Sequence, residues 1–124
     1  MKFSATIRHV DQASLVDVQG RLTFFEVGVL RENIDRLLKQ GSKRIVLNLA
    51  GLDYLDSSGI GELARIYVSV VKGGGEMKVI GLTSKVEDIF KITNLYQVFP
   101  EFPDEQSALQ SFQAAAGGGS PQKT

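Results

Sequence analysis

Three consecutive polar residues, Asp56, Ser57 and Ser58, precede Gly59 where the most apolar predicted strand is followed by the most regular predicted helix. Each of the three can cap a helix by accepting a hydrogen bond from a free backbone amide of the first turn. One interpretation is therefore a capped helix start, with Gly59 and Gly61 allowing close packing. The other is a phosphoacceptor, because the amide donors and dipole of a helix N-terminus tolerate a phosphorylated serine. The residue types alone leave both interpretations open.

Few other side chains in the sequence could carry catalysis or bind a metal. The only histidine, His9, lies near the end of the first predicted strand, so a structural or solvent-facing role is expected and no catalytic triad is indicated. The spacings of known metal motifs do not occur, so we expect neither a metal nor another cofactor. Glycines 73–75 follow a helix and lack the ending of a phosphate-binding loop, so they predict a turn. We therefore expect no catalytic residues and no enzyme activity.

Length, charge and composition restrict the possible partners. The chain has 124 residues, enough for one domain, and its 14 Lys and Arg residues balance 14 Asp and Glu residues. Because there is no net charge, we expect no nucleic acid partner. The absence of cysteine excludes disulfides and thiolate metal sites. No apolar run reaches the ~18 residues of a membrane span, and the N-terminus alternates polar and apolar residues, so we expect a cytoplasmic protein without membrane insertion.

Apolar patterns predict the strands of a sheet. Five segments have such patterns: residues 3–8, 14–19, 45–49, 77–82 and, more briefly, Val98–Phe99. The first two are expected to form a hairpin around Asp11-Gln12, with Gly20 ending the second strand. The third is almost continuously apolar, which is typical of a strand buried on both faces at the centre of a mainly parallel sheet.

Capping patterns predict where three of the helices begin. Residues 23–26 have the Thr-x-x-Glu form of a capping box, so a helix is expected to start at Thr23 and to end before Gly41. Residues 84–87 repeat the pattern and predict a short helix. Asp104 is expected to cap a last helix that extends to Phe112.

The segment after Gly59 has the clearest helical periodicity in the sequence. Its apolar residues recur at helical spacing and predict a core face composed of Ile60, Leu63, Ala64, Tyr67, Val68 and Val71. With that face buried, Glu62 points to the opposite side of the helix and Ile66 lies toward it. We therefore expect Glu62 and Ile66 to contribute to a partner-binding surface.

The order of these elements defines a fold class. Strands and helices alternate after the opening hairpin, as in an α/β layer fold. We predict one domain over residues 1–112, with a mixed, mostly parallel sheet of four or five strands and about four helices. Residues 113–124 contain three consecutive glycines, a proline and no apolar period, and they predict a disordered tail. Loops at the carboxyl ends of the strands carry the sites of such folds, which favours the loop after the third strand.

The motif Leu55–Gly61 resembles the signature of the STAS domain family, which includes sulfate transporters and anti-sigma factor antagonists. It follows the strand IVLNL and precedes the segment GGGEMKVIGL. The resemblance extends over roughly residues 2 to 112 and includes the step Gly20-Arg21-Leu22 and the ending Lys-Ile-Thr-Asn-Leu-Tyr of the third helix. More specifically, the chain resembles the stand-alone bacterial anti-anti-sigma factors, and it is expected to have a STAS-like fold.

This resemblance implies a binding switch in place of an enzyme. In the family, the serine after the loop aspartate is phosphorylated by a partner that is both anti-sigma factor and serine kinase. Ser57 matches that serine, Asp56 the aspartate, and Ser58 and Gly59 the rest of the loop, in which the second hydroxyl is structural. The unphosphorylated form binds the partner and releases the sigma factor, and a phosphatase reverses the modification. Thr23 replaces an aspartate of many members in a loop that often borders the partner, so it is a candidate partner-binding residue.

Two alternatives to this switch stay open. A STAS domain can also serve, without phosphorylation, as a subunit of a membrane-associated assembly of the lipid-transport type, and only the identity of the partner distinguishes the two. A small serine hydrolase or nucleotide-binding protein is less favoured, because no general base lies near Ser57 in the sequence.

Overall fold

Five strands and four helices occupy the part of the chain that the computed structural model describes, residues 2–118 excepting the side chains of Tyr96 and of residues 113–118. In chain order they are β1 (Ser4–Val10), β2 (Ala13–Leu22), α1 (Val27–Lys39), β3 (Arg44–Leu55), α2 (Ser57–Lys72), β4 (Glu76–Ile80), α3 (Ser84–Ile92), β5 (Glu101–Phe102) and α4 (Glu105–Gly118). The strands lie in the sheet in that same order. β1 is antiparallel to β2, and all later neighbours are parallel. The predicted fold class is confirmed, with β3 at the centre.

Helices cover the two faces of the sheet unequally. Each parallel connection advances one strand in the same direction, so right-handed crossovers place α1, α2 and α3 on one face. Their apolar side chains share one large core cluster with that face. Among the described residues, α4 alone covers the opposite face, through a smaller cluster that contains Leu15, Val46, Ile80, Ala108, Leu109 and Phe112. The loop after β3 leads into α2, so the packing of the three helices on the first face determines where this loop lies.

The N-terminal hairpin forms as predicted, but its second strand is longer. Asp11 and Gln12 have φ angles of 52° and 69°, as a two-residue hairpin turn requires. β2 does not end at Gly20, which has a φ of +98° within the strand. A Cβ at Gly20 would lie 2.8 Å from the carbonyl oxygen of Lys2, so only glycine fits there. The strand continues past this irregularity to Leu22 and reaches the loop after β3.

The prediction of a strand at Val98–Phe99 is wrong. The strand lies at Glu101–Phe102, after a 3₁₀ turn at residues 95–97. The ring of Phe99 is buried instead in the core, with its centroid 5.3 Å from that of Tyr67. This burial turns the backbone out of the sheet at Phe99.

The ends of the last two helices differ slightly from the predictions. α3 is capped by Thr83, whose side chain accepts a hydrogen bond from the amide of Val86. Asp104 caps α4 as predicted, with a distance of 2.8 Å from the amide of Ser107 to its Oδ1. The backbone of α4 continues to Gly118, past Phe112, because alanines 114–116 favour helix strongly. The rest of the predicted tail, residues 119–124, lies outside the described residues.

Candidate functional site

Asp56 is the residue that caps α2, and its carboxylate joins two loops. Its Oδ1 accepts a hydrogen bond from the amide of Gly59 at 2.9 Å, the side-chain to backbone bond of an N-cap. Its Oδ2 accepts from the amide of Phe24 at 3.1 Å, in the segment between β2 and α1. These backbone bonds, that of Gly59 first, lower the pKa of the Asp56 carboxyl. The carboxylate is therefore ionised at neutral pH and holds the two loops together.

Ser57 is the first residue of α2, and its side chain is exposed to solvent. Within residues 2–118, no hydrogen bond engages its hydroxyl. The first turn of α2 carries no acidic side chain. The exposed hydroxyl therefore lies at the positive end of the helix dipole, an environment that favours the negative charge of a phosphoryl group. Ser58, the next residue, is half-buried.

Gly59 brings the start of α2 against the end of β2. A Cβ at this position would lie 2.4 Å from the carbonyl oxygen of Leu22 and 3.1 Å from Cβ of Leu55, so no side chain fits. Gly61 is different, since its nearest neighbour is the flexible guanidinium of Arg65 at 3.3 Å. Of the two glycines expected to allow close packing, only Gly59 lies where an added Cβ would clash with the backbone of another element.

The predicted capping box at residues 23–26 is only partly formed, and α1 begins later than Thr23. The Glu26 carboxylate accepts from the amide of Thr23 at 3.0 Å and also from its hydroxyl. That hydroxyl is thereby engaged with the glutamate and lies 3.4 Å from the amide of Phe25, so it does not cap the amide of Glu26. A hydrogen-bonded turn fills residues 23–26, and the helix starts at Val27.

This turn exposes two aromatic rings beside the Ser57 loop. Phe24 is 67% and Phe25 85% exposed, and their ring centroids lie 5.7 Å apart in an edge-to-face arrangement. The Asp56 bond to the Phe24 amide links this pair to the start of α2. Sequence reasoning missed the pair. The signal was available, since two adjacent phenylalanines inside a polar capping pattern have no helix face to bury them.

The prediction that Glu62 and Ile66 face a partner is wrong. Ile66 is fully buried, and Glu62 is 6% exposed. The Glu62 carboxylate lies 2.7 Å from Nε of Arg31 on α1 and 3.1 Å from a guanidinium nitrogen of Arg65. Glu62 therefore links α1 to α2 as a buried, doubly paired carboxylate.

The error arises because α2 is apolar on two faces. The buried face contains Leu63, Ile66 and Val70, whereas Val68 and Val71, expected in the core, are each 48% exposed. Helical periodicity alone is consistent with either of these two apolar faces being buried against the sheet. The close contact of Gly59 with β2 decides the matter, because it turns the Gly59 side of α2 toward the sheet. The exposed face then begins at Ser57.

Neither metal ligation nor a membrane span is found in the described chain. Between residues 2 and 118, no group of three or more His, Asp and Glu residues could hold a metal ion. In that same range, no helix has both the length and the apolar character needed to cross a bilayer.

A family model and similar proteins identify the family of this chain. The STAS domain model matches residues 4–108, most of the chain, so the chain belongs to the STAS domain family. It is 25% identical, over 94% of its length and the whole of the relative, to the anti-sigma F factor antagonist of Paenibacillus polymyxa. Among the solved structures that share the fold are two bacterial proteins. An anti-sigma factor antagonist from Mycobacterium paratuberculosis has a TM-score of 0.79 at 23% identity, with 89% of this chain and 93% of that one covered. The phosphorylated form of the Bacillus cell fate determinant SpoIIAA has a TM-score of 0.68 at 19% identity, with 88% and 99% covered.

The two glycines of α2 provide a matched test of this packing. Gly59→Ala should lower the free energy of unfolding by about 1–3 kcal/mol, because the added methyl group must displace the end of β2. Gly61→Ala should change it by no more than about 1 kcal/mol, in the stabilising direction, since alanine favours helix and Arg65 can move. Urea unfolding of both variants measures the difference. Equal stabilities for the two variants would contradict the described contact of Gly59 with β2.

Proposed function

We propose that this protein is an anti-sigma factor antagonist that phosphorylation of Ser57 switches off. The observation that carries the proposal is the exposed Ser57 hydroxyl at the first position of a capped helix. In the proposed cycle, the unphosphorylated protein binds an anti-sigma factor that is also a serine kinase, in the cytoplasm, and releases the sigma factor. A phosphatase then restores the active form. The name of the Paenibacillus relative and the phosphorylated form of SpoIIAA support this assignment.

Solvent exposure favours Ser57 over the other hydroxyl groups of the site as the phosphoacceptor. The Ser58 side chain is half-buried at the start of α2. The hydroxyl of Thr23 donates to Glu26, so a kinase would have to break that bond. Ser57 meets neither obstacle. The only histidine, His9, lies on β1 beside Ser14, at the far end of the sheet from Ser57, so the site has no imidazole base and a binding role is favoured over hydrolysis.

Electrostatics explains how a phosphate could act on the partner without unfolding the domain. Phosphorylation adds about 1.5–2 negative charges. The N-terminus of α2 attracts this charge by about 0.3–1 kcal/mol, whereas the ionised Asp56 next to it repels it. The two effects oppose each other, so the fold should survive. At an interface the dianion would have to be desolvated, which costs several kcal/mol unless a cation is supplied.

The partner surface in this proposal comprises the loop around Thr23 and the exposed face of α2. Phe24 and Phe25 provide exposed aromatic area beside Ser57, and aromatic residues are common anchors of interfaces. Val68 and Val71 continue an apolar face along α2. A partner bound there would cover the Ser57 hydroxyl, so a phosphate would interrupt the contact.

Incubation with ATP and the kinase-like anti-sigma proteins of the source genome, followed by peptide mapping, tests the acceptor. Phosphate should appear on Ser57, should be absent from Ser57→Ala and should persist in Ser58→Ala. Phosphate on Ser58 or Thr23 with Ser57 unmodified would refute the assignment. No phosphate with any candidate kinase would instead favour a subunit of a membrane-associated assembly.

Substitution of Val68 tests the proposed partner surface. Val68→Asp should weaken binding of the anti-sigma partner at least about tenfold, because an unpaired carboxylate would be buried in the interface. The variant should fold, since Val68 is already half-exposed. Gln110→Asp, on the exposed side of α4, is the matched control and should bind normally. An affinity for Val68→Asp within twofold of the unmodified protein would exclude this face from the interface.

A further inference from the structure

The sheet has two outer strands, and only one of them is protected against pairing with a strand of another molecule. β5 consists of two residues, Glu101–Phe102, and offers almost no free edge. β1 has seven residues and pairs with β2 in a regular register without a bulge. Within residues 2–118, no other strand pairs with its outer side. β1 therefore presents a row of backbone groups that another strand could use.

The hairpin register determines which backbone groups point outward. A two-residue turn makes Val10 and Ala13 a hydrogen-bonded pair, and such pairs alternate along an antiparallel ladder. The backbone groups of Ala5, Ile7 and His9 therefore face away from β2.

β1 lacks most of the usual features that prevent edge pairing. Native sheets protect long edges with proline, lysine or bulges, and Ser4–Val10 contains none of these. The one strongly charged side chain, Arg8, is held by Asp17 at 2.6 Å and by Glu105 at 3.0 Å. It therefore points to its own chain and leaves the edge accessible.

We propose that this edge binds the same edge of a second copy of the chain, as an antiparallel pair centred on Ile7. Ile7 then lies opposite Ile7 of the second copy, Thr6 opposite Arg8, Ala5 opposite His9, and Ser4 opposite Val10. All seven residues pair through about six backbone hydrogen bonds. Ile7, which is half-buried and borders the core cluster, is covered by Ile7 of the second copy.

Charge distinguishes this register from a shifted one. Centred on Ile7, the pair places each guanidinium opposite a threonine, so no like charges meet. A shift that centres the pair on Arg8 would place the two guanidinium groups directly opposite each other, which is unfavourable. The dimer edge is separate from the proposed switch, because β2 lies between β1 and β3, the strand whose end leads to Ser57.

Cysteine cross-linking tests the centre of the pair, because the chain contains no cysteine. In Ile7→Cys any disulfide must join two copies, and the Cα separation of about 5.5 Å expected for a hydrogen-bonded pair suits a disulfide. The control is Ile92→Cys, at an 81% exposed position on α3. Mild oxidation should give a covalent dimer from Ile7→Cys much faster than from Ile92→Cys. Equal rates would overturn the register.

Sedimentation equilibrium of charge variants at Thr6 tests the dimer itself. The unmodified chain should dimerise with a Kd below roughly 100 µM. Thr6→Lys would face Arg8 of the second copy and should weaken the dimer by about 2- to 30-fold, whereas Thr6→Glu should strengthen it by a similar factor. Within the chain, Thr6 lies opposite Asp17, so lysine should stabilise the fold and glutamate should not. If the two substitutions acted on the dimer only through the stability of the fold, Thr6→Lys would give the tighter dimer and Thr6→Glu the weaker one. A monomer at roughly 100 µM, or equal dimer affinities for the two variants, would overturn the proposal.

Discussion

The carboxylate of Asp56 is the contact on which the site depends. Through Gly59 it fixes the first turn of α2, and through Phe24 it fixes the segment after β2. Gly59 allows both, because only a residue without a side chain lets the helix start against the carbonyl of Leu22. Ser57 follows the cap directly and must lie outside the packed interface. Its exposure is thus a consequence of how α2 is attached to the sheet.

The same attachment explains why α2 has an apolar face toward solvent. With Gly59 against β2, the Leu63, Ile66 and Val70 side enters the core, and Val68 and Val71 point away from it. In the proposed function, Val68 and Val71 are part of the surface that the partner covers. Glu62, buried between Arg31 and Arg65, keeps α1 and α2 in register beneath that surface.

Local sequence signals predicted the element order, the central strand and the loop motif, but not the features that depend on contacts distant in sequence. The cap at Asp56 follows from residue type and position, and so does the hairpin turn at Asp11-Gln12. The rotation of α2 about its axis does not follow from local sequence, because helical periodicity fits both of its apolar faces. The contact of Gly59 with β2 determines which of the two faces is buried. The strand at Glu101–Phe102 was missed because Phe99 is buried by rings from two other helices, a contact that no local pattern reveals. The role of the Ser57 loop was suggested by family resemblance, since residue types alone fit a simple cap equally well.

The proposed switch is tested by the affinity of the anti-sigma partner for the Ser57-phosphorylated and the unphosphorylated protein, measured by calorimetry with ADP in place of ATP. Unfolding of both forms in urea gives the matching stabilities. We expect phosphorylation to raise the Kd at least about 100-fold, or roughly 2.7 kcal/mol, while the free energy of unfolding changes by less than about 1 kcal/mol. An unchanged Kd, or a weakened complex accompanied by an equal loss of fold stability, would contradict a switch that the partner reads directly at Ser57.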